Sequence, residues 1–335
     1  MTQNAKTYGQ NKRWVRLKVD PADLHPLMKR EDARPFRDMF IWLALMGGFA
    51  CLTCLLWGSW YAVIPLYVYS VLYSTGSQSR DHETGHGTAF KTKALNKFFF
   101  ELTSFMVLRE SFLRTKSHDT HHLHTIITAI DPEIVTLVPP DFRALFINLF
   151  MVDRCTRGLK DTTIHALNLL TKKDRQSGRT ALPVGAARKA RLWIFTLAGT
   201  LASSLYLSSW LPVLLIGPLP TMFGGSHRHL FALSQHVGLA QNVRDYTLNT
   251  RTIHLGPVLG FLYMNMQYHL EHHLYPNIPY YHLPALHELI KDQCPPAYNG
   301  LWPVFTEMIP VLWRQRKDPN HYIKRILPDS ANASA

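Results

Sequence analysis

The residues in this chain with types and spacings suited to chemistry are its histidines. Of the 18, eight fall in three tight clusters: His82 and His86 in HETGH, His118, His121 and His122 in SHDTHH, and His269, His272 and His273 in YHLEHH. On a helix, positions i and i+4, or i, i+3 and i+4, share one face about a turn apart, so each cluster aims two or three imidazoles at one point. HETGH alone has the letters of a zinc-protease motif, with two histidine ligands and Glu83 as general base. A catalytic zinc takes about three protein ligands plus water, which leaves the other clusters without a purpose. Two metals with four or five ligands each use all eight, so HETGH reads as one third of a dinuclear site. His236, in SQHVGL, is expected on the same side and within reach of that site. Glu83 then becomes a group that accepts a hydrogen bond from the far nitrogen of a ligating ring, and Asp81, Asp119 and Glu271 are placed for similar tasks.

Imidazole ligation alone does not choose between zinc, copper, iron and nickel. The setting does. Attack on an unactivated C–H bond of a long apolar substrate needs a redox metal and dioxygen, which zinc cannot supply.

The elements that must position these side chains are apolar runs between basic stretches. Met39–Trp57 is 19 residues without a charge, and Trp60–Gly76 follows after only Gly58-Ser59. At 1.5 Å per residue the first nearly covers a hydrocarbon core of roughly 30 Å. Leu192–Ser208 and Trp210–Gly225 form a second pair, the latter interrupted by Pro212, Pro218 and Pro220. The expected fold is all-α and integral to a membrane, with four transmembrane helices (39–57, 60–76, 192–208, 210–225) in two hairpins. A cytoplasmic helical cap would hold the dinuclear site. Phe98–Leu108, Ala144–Val152 and Val258–Met266 are too short to span and read as cap or interfacial helices.

Formal net charge is +13, from 36 Lys+Arg against 23 Asp+Glu. The basic residues flank the apolar runs instead of forming an arm or a periodic stripe, and no zinc-finger, RNP-like or basic-zipper pattern points to nucleic acid. Lys6, Lys12, Arg13, Arg16, Lys18, Lys29, Arg30, Arg34 and Arg37 precede the first run, and a second basic set, Lys160 to Arg191, lies between the hairpins. Both hairpin tips are uncharged. The positive-inside rule places both termini, the central loop and all the histidine clusters in the cytoplasm. The domain expectation is a basic N-terminal segment (1–38), one membrane domain (39–290) and a cytoplasmic C-terminal segment (291–335). The polar N-terminus does not read as a cleavable signal peptide. Cys51 and Cys54 lie in an apolar run and read as small hydrophobes, and with Cys155 and Cys294 they suggest no disulfide framework.

Taken together, His82/His86, His118/His121/His122 and His269/His272/His273 resemble the three boxes of the membrane fatty acid desaturase/hydroxylase family. HLEHHLYPNIPYYHLPALHELI (269–290) is similar to that family's run after its third box, and SQH, ending at His236, to the region where relatives place a further iron ligand. The resemblance covers roughly residues 40–290. It implies a cytoplasmic di-iron centre held by those nine histidines, two iron ions (Fe2+/Fe3+), O2 as co-substrate, and oxidation of an aliphatic C–H on a fatty-acyl or other lipid-like substrate. Desaturation and hydroxylation share these ligands. Hydroxylation of a non-acyl hydrophobic small molecule stands as an alternative. The chain carries neither a haem-binding His-Pro-Gly-Gly nor a ferredoxin-like cysteine set, so a separate ferredoxin-, rubredoxin- or cytochrome b5-like donor, with its reductase, is implied. A basic cytoplasmic face would suit an acidic donor.

His25, His165, His282, His287 and His321 read as surface or interfacial side chains, and His124, His227 and His229 as neighbours of the site outside the box pattern. Arg109, Glu110 and Arg114 precede the second box as possible buried polar partners. Two rival functions remain: a membrane zinc metalloprotease built on HETGH, in which His118 and His269 would be dispensable, and a metal transporter or sensor, which would prefer ligands inside the spanning segments.

Overall fold

A computed structural model of the protein describes residues 14–328, so Lys6, Lys12 and Arg13 lie outside the described residues. The chain is mostly helical. After α1 (Pro21–Leu27) come α2 (Ala33–Leu55), α3 (Val63–Val71), α4 (Ser77–Gly85), α5 (Lys93–Met106), α6 (Ser111–Leu123), α7 (Phe142–Asn148) and α8 (Val152–Ala166). The second half holds α9 (Lys172–Gln176), α10 (Ala186–Tyr206), α11 (Leu211–Leu215), α12 (Pro218–Phe223), α13 (Gly225–His236) and α14 (Tyr246–Asn249). It continues with α15 (Pro257–Leu262), α16 (His269–Leu274), α17 (Leu283–Ile290) and α18 (Leu301–Gln315). The only strands among the described residues, β1 (Ile253–His254) and β2 (Tyr298–Asn299), pair in parallel.

The four expected crossings differ in form. α2 alone, among the described helices, is long and apolar enough to cross a membrane. It begins before the apolar run because Arg34 and Arg37 continue the helix, and Gly58, with φ +94°, marks its end. The run 60–76 is part of a longer path: a 3-10 turn (Trp60–Ala62), α3, five residues of π-helix (Leu72–Gly76), then α4 without a break. The third run lies inside α10, whose apolarity is diluted by Arg188, Lys189 and Arg191 at its start and by Thr196, Thr200, Ser203 and Ser204 further on. The fourth is not one helix. Proline has no N–H to continue the ladder, and Pro212, Gly217, Pro218 and Gly224 divide 210–236 into α11, α12 and α13.

The outer faces of α2 and α10 are apolar, with Phe40, Leu45, Leu55, Phe195 and Leu205 exposed. Between Asp38 and Arg80, and again between Arg191 and Arg228, the chain has no Lys, Arg, Asp or Glu. Inside, Met39, Trp42, Phe90, Phe231, Leu270 and Leu283 form one core that joins α2, α3 and α5 to α13, α16 and α17. The π-helical turn is tied into this core. Trp42 Nε1 donates to the Leu72 carbonyl (3.0 Å) and Arg80 Nη1 to the Gly76 carbonyl (3.0 Å), satisfying acceptors at both ends of the widened turn. Arg80 lies over the Trp42 ring, 4.7 Å from its centroid. A Cβ on Gly76 would stand 2.8 Å from Trp42 Nε1, so this approach requires glycine.

Candidate metal centre

α4 carries His82, with His86 at its C-terminal cap; α6 carries His118, His121 and His122; α13 ends on His236; α16 carries His269, His272 and His273. All nine come together in two adjoining groups. His82, His86, His118, His122 and His272 form one, and His121, His236, His269 and His273 the other, each with ring nitrogens within 4.8 Å of one another. Three boxes, separated by as many as 190 residues, therefore interleave, since the second and third each divide their rings between the groups.

The contacts within each group are between Nε2 atoms. His118 Nε2 lies 3.2 Å from that of His82, 2.9 Å from that of His86 and 3.2 Å from that of His122. His272 Nε2 is 2.7 Å from His82 Nε2 and 3.2 Å from His122 Nε2. In the second group His269 Nε2 is 3.0 Å from His236 Nε2 and 3.1 Å from His273 Nε2. A ring nitrogen offers one in-plane proton or one lone pair, so His118 Nε2 cannot form ordinary hydrogen bonds to three neighbours at once. A cation shared by the lone pairs fits such a cluster.

The opposite ring nitrogens fix the tautomers. His118 Nδ1 donates to Glu133 Oε2 (3.1 Å), His121 Nδ1 to Asp131 Oδ2 (2.8 Å) and His236 Nδ1 to the Asn249 carbonyl (2.9 Å). Thr125 gives its hydroxyl proton to the His121 carbonyl (2.7 Å) and so accepts from His273 Nδ1 at 3.1 Å. With the proton held on Nδ1, the Nε2 lone pairs face inward. Burial, reinforced by neighbouring charges, keeps the rings neutral: His82, His118, His122, His269, His272 and His273 are driven well below the usual histidine range. His86 and His236 are lowered to about 3.

Of the four carboxylates expected to support the rings, only Glu83 approaches one, at 3.9 Å from His272 Nδ1. It also accepts from Thr88 Oγ1 and the Tyr280 amide at 3.2 Å each. Burial raises it to about 8. Asp81 instead binds Arg114 Nε (3.0 Å) and Ser104 (3.1 Å). Glu271 binds His287 Nδ1 (2.5 Å) and Thr252 (2.7 Å), and Asp119 is exposed, away from the rings. The carboxylates that do hold rings, Asp131 and Glu133, come from the loop after α6. Their only signal was the D-P-E triplet closely following the second histidine box.

Arg109 and Arg114 do prove to be polar partners of the second box. Arg114 Nη1 and Arg109 Nη2 reach Glu133 Oε1 at 2.9 and 2.8 Å. Burial works to raise Glu133, but the two guanidinium charges hold it well below the usual carboxylate range. His124, His227 and His229 stay outside both groups, as do His25, His165, His282, His287 and His321. Two of these are not surface residues, however. His287 is buried on Glu271, and His165 is fully buried between Glu110 and Asp174.

A cavity of about 570 Å³ opens against the centre, with His82, His118, His121, His236 and His269 in its wall. That volume is in the range of small-molecule sites.

A family model described as fatty acid desaturase matches residues 58–305, a span containing all nine converging histidines. No curated protein matches the chain.

Proposed function

The chain belongs to the fatty acid desaturase family, and on that premise we propose that it is a membrane di-iron oxidoreductase that desaturates or hydroxylates an aliphatic chain at the expense of O2. One observation carries this reading: nine imidazoles in adjoining groups of five and four, their ring nitrogens within 4.8 Å of one another inside each group. An all-imidazole set suits iron among other metals, and two adjoining groups suit two ions. HETGH taken as a complete zinc site would use only His82 and His86 of one group and leave the other without a ligand role.

His82, His86, His118, His122 and His272 would hold one iron, and His121, His236, His269 and His273 the other. Bound there, the pair would supply dioxygen activation and the oxidising power to break an unactivated C–H bond. The protein's own contribution is positional. Asp131, Glu133, Thr125 and the Asn249 carbonyl keep a proton on the outer nitrogen of four rings, so their inner nitrogens stay free to ligate. Arg109 and Arg114 keep Glu133 ionised as an acceptor. The adjoining cavity would seat the substrate against both groups, and the core packed around α4 and α16 excludes bulk water from the rings.

We place the metal-bearing helices on the cytoplasmic side of a four-crossing membrane domain. Support comes from the uncharged stretches 39–79 and 192–227, the apolar outer faces of α2 and α10, and the exposed aromatics Trp57, Trp60, Tyr61 and Trp210 at the tips. Such side chains favour the membrane–water interface. Electrons would come from a separate ferredoxin-, rubredoxin- or cytochrome b5-like protein and its reductase. If an acidic donor docks on the basic face, turnover falls as ionic strength rises; turnover indifferent to salt counts against charge-guided docking.

The deciding test is the metal content of the detergent-purified protein beside His86→Ala and His236→Ala, which remove one ligand from each group. About two irons per chain, reduced in each variant, is the expected result. A single zinc retained in both variants overturns the di-iron reading.

A further inference from the structure

The cavity beside the histidines is not a plain apolar channel. Leu108, Ile130 and Met266 line part of it, but its lining is also strongly cationic. Most of those charges are matched. Arg109 and Arg114 are paired with Glu133 and Asp81, Arg179 with Asp174, and Arg157 with Asp153. His165 takes up Glu110, and Asp161 lies within the charge influence of Lys173 and Lys160. Arg154 and Arg228 stand apart. No carboxylate pairs with either among the described residues. Arg154 has only the Val107 carbonyl, at 3.4 Å from Nε, and Arg154 Nη2 and Arg228 Nη1 are both buried without a hydrogen-bond partner.

Two fully buried arginines show what compensation looks like in this fold. Arg80 gives protons to two carbonyls and lies over Trp42 and Phe261, while Arg251 donates to the Ser234 carbonyl and faces Tyr298. Neither lines the cavity. Arg154 and Arg228 do, and apart from the one long contact of Arg154 with the Val107 carbonyl neither has such a partner. Burial first, then the like charge of Arg109, lowers Arg154 well below the arginine range and Arg228 to about 10; Arg228 and Arg154 sit close enough for Arg228 to lower Arg154 further, and Asp81, already bound to Arg114, offsets this only in part. Two half-buried cations, each with a buried nitrogen left unpartnered and no carboxylate of its own, are costly to maintain. An anion from outside the protein would offset that cost, and guanidinium groups suit the flat two-oxygen face of a carboxylate or phosphate.

We propose that the substrate carries an anionic head group, bound by Arg154 and Arg228 at one wall of the cavity while its aliphatic part lies against the histidines. The inference rests on the di-iron reading for what happens at the other end, but the binding of the anion does not depend on it. A carboxylate on a free acid and the phosphate of a membrane lipid share the required chemistry. The geometry assigns Arg154 and Arg228 a substrate-binding role, distinct from the structural ion pairs of Arg109 and Arg114.

The test is calorimetric binding to the full-length protein, with iron content measured on the same samples. Octanoate is compared with octanol, and dioleoyl phosphatidate with dioleoylglycerol in nanodiscs. The expected result is an anion preference of about 10- to 100-fold in at least one pair, lost in the Arg154→Gln/Arg228→Gln protein. Arg154→Lys and Arg228→Lys keep the charge and retain part of the preference, which separates anion binding from a folding defect. A preference confined to octanoate identifies a free acid, and one confined to phosphatidate a membrane lipid. Preference in neither pair, or preference that survives the double glutamine substitution, overturns the proposal. Failure to find iron in samples that still prefer the anion would strike the di-iron reading and leave this one standing.

Discussion

Asp131 Oδ2 and His121 Nδ1 lie 2.8 Å apart, and the same carboxylate accepts the backbone amides of Ile126 (2.8 Å to Oδ2) and Glu133 (2.8 Å to Oδ1). One side chain thus folds the loop after α6 back on itself and sets the tautomer of a ring in the second group. Its replacement separates into two effects.

Asp131→Asn keeps the shape and weakens the acceptor. Metal affinity falls about 10- to 100-fold, as is usual when the group behind a ligating histidine is lost, while the thermal midpoint moves little. Asp131→Ala also strands two amides and costs a further 1–3 kcal/mol or so. Chelator competition and thermal unfolding, run on both variants, check the separation. Equal metal affinity in wild type and Asp131→Asn would refute it.

His165 predicts a pH dependence away from the metal centre. Burial disfavours its charge, but hydrogen bonds to Glu110 and Asp174 outweigh this and raise it above the ordinary histidine value. A raised folded-state value means that the stabilisation is complete below the unfolded-state value of about 6.5 and is lost as pH climbs through the folded-state value. His165→Gln should therefore be most destabilising near pH 6, with the difference shrinking toward pH 9 or so. Unfolding midpoints across that range test it; a gap that widens with pH contradicts the charged-imidazole account.

Gly224 joins α12 to α13 at the back of α3. A Cβ there would stand 1.9 Å from the Ser70 carbonyl oxygen and 2.5 Å from the Val71 nitrogen, both backbone atoms with no freedom to yield. Gly224→Ala is expected to destabilise by about 1–3 kcal/mol or more and to lower metal occupancy, because α13 ends on His236. Gly199→Ala, with nothing within 4 Å of the new methyl, is the matched control and should leave both unchanged. Equal melting curves for the two would remove the argument.

Trp42→Phe keeps most of the buried volume and deletes the donor to the Leu72 carbonyl. Leaving that buried acceptor unsatisfied costs roughly 1–3 kcal/mol. Hydrogen exchange of the amides in 72–76 should rise more than in α5, and uniform exchange would show that Trp42 does not hold the turn.

The convergence of the nine histidines was legible because imidazole clusters at i, i+3 and i+4 have few structural uses, and three of them in one chain constrain each other. The division into five and four was not. It depends on how α6 and α16 cross, which puts His121 and His122, or His272 and His273, in different groups although they are neighbours in sequence. Helical runs were legible from apolarity, but their continuity was not: Leu72–Gly76 looks like the end of an apolar segment and is the middle of a helix. The supporting carboxylates were sought beside the boxes, where Asp81 and Glu271 have other partners. Asp131 and Glu133 reach the rings from a loop whose path hydrophobic periodicity does not describe. Arg154 and Arg228 fall outside the basic set at Lys160 to Arg191 and carry no signal in the sequence; only the fold brings them to a common cavity.

The five π-helical residues at Leu72–Gly76 have a consequence for how this protein tolerates change. A widened turn accommodates one residue more than an α-helix would over the same span, and each residue advances an α-helix by about 100°. The apolar half, α3, and the ligand-bearing half, α4, are thus set out of phase by design of the chain. Losing a single residue within 72–76 would let the path relax to ordinary α-helix and swing His82 and His86 together by roughly 100° away from their partners. Length, at this one turn, matters more than the identity of the side chains around it.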